Sequence, residues 1–145
     1  MIKVSNLSKQ YVGRTAVDDI SFNVKSGEIV GFLGPNGAGK TTTIRMLTGY
    51  TPPTSGTALI GGHDIFNQSL LAKKSIGYMP ENVPLYEDMR VKEYLQFRGE
   101  LKGLRGKDLR KSMNETLELC SIKNIRGQMI SSLSKGFRQR VGLVD

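Results

Sequence analysis

The run "GPNGAGKTT", Gly34 to Thr42, is the part of this 145-residue chain best equipped for chemistry. It fits the pattern G-x-x-x-x-G-K-[ST], with Gly34, Gly39, Lys40 and Thr41 in the specified places. Such a loop is built for a dense anion. Gly37 and Gly39 let successive backbone N–H groups turn inward as a nest at the positive end of a helix, where side chains would block the approach. Lys40 supplies a mobile point charge for the β- and γ-phosphates of a nucleotide, and the Thr41 hydroxyl is placed to ligate a Mg²⁺ bridging them. Thr42 adds a hydroxyl further back. The nucleotide-binding stretch is therefore Asn36, Gly37, Ala38, Gly39, Lys40, Thr41 and Thr42. GTPases, kinases, helicases and transporter motors all use such a loop, so it names neither the base nor the task.

The loop needs a strand before it and a helix after it. "EIVGFLG" is apolar on both sides of the pleat through Ile29, Val30, Phe32 and Leu33, which predicts a strand covered on both faces, as in a parallel sheet. A helix is expected from Lys40 to Leu47, with Gly49 as its stop. Upstream, "IKVSNL" and "ISFNV" read as strands, with a turn at Ser26-Gly27. Downstream, "TALIGGHDI" reads as strand, turn and strand, and "SIGYMP" as another strand ended by Pro80. Past Pro84 the period becomes helical. Val91, Tyr94, Leu95 and Leu101 fall near one face, and Leu109, Met113, Leu117 and Cys120 form a second stripe, joined by "KGLRGK". The expected division is a nucleotide-binding core over 1–83, a helical subdomain over 84–132, and a final turn and helix start over 133–145.

Composition is that of one globular domain, 38% hydrophobic and 23% charged, with no apolar run long enough to span a bilayer, and the opening "MIKVSNLSKQY" lacks the apolar stretch expected of a secretory signal. The single cysteine, Cys120, reads as a small hydrophobe on a helix stripe, and His63 as a turn residue. The net charge is +8, and Arg98 onward carries 11 basic against 5 acidic residues. Solvated helix faces are a commoner fate for such an excess than an anionic partner, whether nucleic acid or membrane.

"GPNGAGKTT", a helical insert and then "LSKGFRQR" together resemble the ATPase subunit of ATP-binding cassette (ABC) transporters, over the whole chain. The resemblance implies an α/β fold: a P-loop NTPase core with an N-terminal antiparallel β subdomain and an inserted α-helical subdomain. It implies ATP and Mg²⁺ as cofactors and a second ABC ATPase subunit bound head to tail. It also implies an integral membrane permease subunit, with the protein cytoplasmic and peripheral on the inner face of the cell membrane. No nucleic acid partner is expected from it. The family's signature Leu-Ser-Gly-Gly-Gln corresponds here to Leu133, Ser134, Lys135, Gly136 and Phe137, a variant similar to those of export-type subunits. Ser134 is a good N-cap and Gly136 leaves an amide accessible, so an anion belongs in front of this helix start; the resemblance implies that Ser134, Lys135, Gly136 and Phe137 face the nucleotide held by the partner subunit.

Two further positions carry over. Tyr11 in "SKQYVGRTAV" resembles the aromatic that stacks on adenine, with packing of a hairpin as its lesser reading. Glu81 in "IGYMPEN" stands where the family commonly has a glutamine that touches Mg²⁺, the attacking water and the relay to the membrane subunit; it reads equally as a solvated loop acid. Val141, Leu143 and Val144 are apolar residues still awaiting a packing surface, so the chain is expected to stop inside a longer cassette, before the Walker B strand, the catalytic glutamate and the switch histidine. These 145 residues are therefore expected to bind ATP at best weakly and not to turn it over. A soluble ABC-type ATPase acting on ribosome or DNA is the alternative function.

Overall fold

The computed structural model describes residues 1–143, which form two compact units, Met1–Tyr78 and Met79 onward. The first is a four-stranded antiparallel sheet with two short helices. Its strands, β1 (Ile2–Tyr11), β2 (Arg14–Val24), β3 (Ser55–Ile60) and β4 (His63–Asp64), lie in the order β2-β1-β3-β4.

The apolar positions of β1 and β2 break strict alternation. Val4 and Leu7 are three residues apart, as are Val17 and Ile20, yet all four face one core. A register shift resolves the mismatch, with Asn6 at φ 49° and Asp19 at φ 45° absorbing the extra residue on each strand. The Asn6 amide side chain donates to Asp19 Oδ1 at 2.8 Å across that irregularity. Helix α1 (Lys40–Leu47) lays Thr43, Met46 and Leu47 on the sheet, and α2 (Ser69–Lys74) adds Ala72. Burying an apolar side chain the size of Met46 or Leu47 contributes about 1.5–3 kcal/mol.

Two strand expectations fail. Residues 29–33 form no strand, and Ile29 and Leu33 are 99% and 92% exposed. A strand of that composition needs hydrogen-bonded neighbours on both edges and cover on both faces. Among the described residues no strand pairs with it, and the observed sheet is wholly antiparallel. Phe32 alone finds an aromatic neighbour, Phe22, with ring centroids 5.8 Å apart. The segment "SIGYMP" is likewise irregular, beginning at Ser75, the residue that caps α2. Helix α2 leaves no signal in the sequence, since its six residues are too few to show a helical stripe.

The second unit is helical: α3 (Val91–Leu101), α4 (Gly106–Leu119) and α5 (Lys135–Leu143), with single 3₁₀ turns at Lys123–Ile125 and Ile130–Ser132. Its core gathers Val91, Tyr94 and Leu95 of α3, Leu117 of α4, Ile122, Ile125, Ile130 and Leu133 between them, and Val141 of α5. Helix α3 starts cleanly because the Glu93 carboxylate accepts the Arg90 amide at 2.9 Å. Leu101 falls near the buried stripe but is the last residue of α3 and is 63% exposed. Met113 and Cys120 are half-buried against this core. At the end of α5, Val141 is buried, contrary to its reading as unpacked, while Leu143 is exposed; Val144 lies outside the described residues. Among the described residues no helix is long and apolar enough to cross a membrane.

Candidate functional site

The Gly34–Thr42 loop wraps the N-terminus of α1. Gly37 and Gly39 both take left-handed backbone, φ 86° and 85°, and Gly39 is the residue that caps the helix. Gly39 is fixed twice over. Besides its φ, a Cβ there would overlap the carbonyl oxygen of Ala16 on β2 and stand 3.0 Å from Val17 Cγ2. The loop is thus seated directly on the β1–β2 ladder, a long-range contact that sequence spacing does not reveal.

The helix end supplies unspent donors. The first amide to find an acceptor within the helix is Thr43, which donates to the Gly39 carbonyl at 2.8 Å, and the Thr43 hydroxyl bonds the same oxygen at 3.0 Å. Among the described residues, the amides of Lys40, Thr41 and Thr42 donate to no backbone carbonyl. Three outward amides at the positive end of a helix dipole form an anion seat. The Lys40 ammonium folds over the same loop, donating to the carbonyls of Gly34 at 2.6 Å and Pro35 at 2.7 Å. Asn36 and Ala38 are exposed on the loop crest, and the Ala38 amide closes a turn onto Pro35 O at 3.3 Å.

The three consecutive threonines divide their work. Thr43 is buried and its hydroxyl is committed to the backbone, whereas Thr41 is exposed and, among the described residues, its hydroxyl has no protein partner. A free hydroxyl at the first turn beside an anion seat fits a Mg²⁺ that takes its remaining ligands from phosphates and water. No group of three or more His, Cys, Asp or Glu that could hold a metal occurs among the described residues.

Tyr11 ends β1, half-exposed at 48%, with Lys9 Nζ 5.3 Å from its ring centroid. Its ring is half in solvent and carries the Lys9 ammonium against it.

In the second unit, Ser134 occupies the N-cap of α5. Its Oγ accepts the Phe137 amide at 3.4 Å and its carbonyl accepts the Arg138 amide at 2.9 Å. Lys135 and Gly136 are exposed at the helix start. Phe137 is half-buried against the helical core, with Arg140 Cζ 5.7 Å above its ring. Glu81 is exposed in a bend that opens this unit. Glu87 and Arg138, which no sequence pattern singled out, meet at 2.9 Å. Fifty-one residues separate them, so no helical or hairpin spacing could have paired them.

A glycine-rich loop leading into a helix whose first amides are unpaired defines a nucleotide-binding protein of the P-loop NTPase class. The family described as ABC transporter matches residues 17–145, and the chain belongs to it. It is 38% identical over 143 residues to the probable multidrug ABC transporter ATP-binding protein YbhF of Escherichia coli K12, covering 99% of this chain and 25% of that protein. It is 37% identical over 143 residues to the linearmycin resistance ATP-binding protein LnrL of Bacillus subtilis, covering 99% of this chain and 46% of that one. The chain thus spans less than half the length of these relatives. The dimeric ATP-binding cassette MJ0796, solved in a post-hydrolysis state bound to ADP and phosphate, superposes with a TM-score of 0.82 at 25% identity, covering 99% of this chain and 68% of that one.

Proposed function

We propose that this chain is the nucleotide-gripping part of an ABC transporter ATPase that couples ATP binding and hydrolysis to export across a membrane. The observation that carries the reading is the Gly34–Thr42 loop, with three unpaired amides and the Lys40 ammonium converging on one small region. In that seat the amides of Lys40, Thr41 and Thr42 hold terminal phosphate oxygens, and Lys40 exchanges its two carbonyl partners for the β- and γ-phosphates. Tyr11 stacks on adenine. Thr41 would hold Mg²⁺, and Glu81 is assigned the role of the metal-touching glutamine that the family commonly has at its place in the chain. When bound, that ion neutralises charge on the phosphates during transfer.

Ser134, Lys135, Gly136 and Phe137 are assigned to the facing subunit's nucleotide, which makes the working unit a head-to-tail dimer. The dimeric relative bound to ADP and phosphate supports this. Export is supported by relatives named for multidrug transport and linearmycin resistance. The implied setting is cytoplasmic, against an integral membrane permease on the inner face of the cell membrane.

Two measurements on the full-length protein test the reading. Phosphate release from ATP should require Mg²⁺ and vanish in Lys40→Ala, and an integral membrane subunit should co-purify. The net charge of +8 favours one rival, a soluble ABC-type ATPase working on ribosome or DNA; co-sedimentation with ribosomes in place of a membrane subunit would establish it.

A further inference from the structure

Helix α5, which carries the Ser134–Gly136 turn, is tied along one side to the segment 83–89. The Arg138 guanidinium donates from Nη1 to Glu87 Oε1 at 2.9 Å and from Nε to the Leu133 carbonyl at 3.0 Å. One planar group therefore spans from an acid on that segment to the residue immediately before Ser134. The backbones are stitched in the same place: Glu87 O accepts the Ser131 amide at 3.1 Å, and Met89 O accepts the Ile130 amide at 2.9 Å.

One turn further along α5, Gly142 rests against Val83. A Cβ at 142 would stand 2.7 Å from Val83 Cγ2 and 3.0 Å from Val83 Cβ, so the absence of a side chain sets the distance of closest approach. Positions 138 and 142 share a helix face. Held at both, α5 can neither rotate about its axis nor slide without disturbing residues 83–87.

We propose that Arg138 and Glu87 are positioning residues that fix the direction in which the Ser134 cap and the first amides of α5 point. The Glu87 and Arg138 side chains are 61% and 40% exposed, and an exposed pair contributes little to global stability. Its product is orientation. A cleft of about 410 Å³ runs beside the pair and is also lined by Glu81 and Lys135, so the 81–87 segment and the signature turn share one frame. The inference rests on reading Ser134–Gly136 as a turn that closes over a partner's nucleotide.

The test uses the full-length protein with Glu87→Arg, Arg138→Glu and the double exchange. Each single reversal should speed hydrogen exchange at the 131–136 amides about fivefold with Tm almost unmoved, and the double exchange should return it to within about twofold of wild type. Each single should lower kcat for ATP about tenfold at unchanged KM, since each chain's own P-loop still binds nucleotide, and the double exchange should recover most of it. A double exchange as impaired as the singles, or singles that leave exchange and kcat at wild-type values, would overturn the proposal. Restored exchange without restored kcat would also overturn it. In a second arm, Gly142→Ala should mimic the single reversals and Val83→Ala should relieve it; no relief counts against the clamp. If wild-type protein hydrolyses no ATP, the functional reading falls while the exchange measurements still decide whether the clamp exists.

Discussion

The Lys40 ammonium donates to the Gly34 carbonyl at 2.6 Å, across the mouth of the loop to which both residues belong. With the Pro35 carbonyl at 2.7 Å as its second partner, the charge is held over the loop, and the proposed function puts terminal phosphates there. Binding then exchanges two neutral acceptors for charged ones and needs little rearrangement of the side chain. Charge-assisted bonds of this kind are worth about 1.5–3 kcal/mol. Lys40→Ala in the full-length protein should weaken ATP about 10–100-fold by calorimetric titration, while Tm changes by only a few degrees, because the two carbonyls it leaves are exposed to water.

Thr41 and Thr43 should separate under substitution. Thr41→Ala removes an exposed hydroxyl with no protein partner and should leave Tm unchanged while abolishing the gain in ATP affinity on adding Mg²⁺. Thr43→Ala removes a buried hydroxyl bonded to Gly39 O and should cost about 1 kcal/mol of stability in urea denaturation, with the Mg²⁺ effect retained.

The two left-handed glycines differ in surroundings. At Gly37 nothing lies within reach of an added Cβ, so Gly37→Ala should cost only the backbone term, about 1–2 kcal/mol. At Gly39 the Ala16 carbonyl blocks the Cβ, and Gly39→Ala should cost at least about 2 kcal/mol more. Denaturant midpoints of the two variants check the order.

Acid should act partly through Asp64. Its carboxylate accepts the Thr57 hydroxyl, then the Asn67 amide at 2.7 Å and the Phe66 amide at 2.9 Å, which together hold its pKa below the ordinary value of 3.8. A depressed folded pKa means that the stabilisation is complete above the unfolded value and is lost as pH falls through the folded one. The Tm difference between wild type and Asp64→Asn should be constant from pH 7 to about 5 and shrink below about 4.

Much of the site was legible because its logic is local. The loop pattern, the Lys40–Leu47 helix and the Ser134 cap each depend on neighbours within a few residues, and each lies where spacing placed it. The strand expected over 29–33 fails for the opposite reason: its apolarity is real, but a buried strand is made by its neighbours, and among the described residues no strand pairs with it. The seating of Gly39 on Ala16 and the Glu87–Arg138 pair are likewise products of tertiary approach. Even the bulges at Asn6 and Asp19 left only a faint trace, a spacing of three where a strand prefers two.

The central claim is that the Gly34–Thr42 loop grips a nucleotide by its terminal phosphates. Equilibrium binding of adenosine, AMP, ADP and ATP to the full-length protein in Mg²⁺ measures it directly. Affinity should climb with each added phosphate and the climb should flatten in Lys40→Ala; ATP binding no tighter than AMP, or a climb untouched by that substitution, would contradict the account.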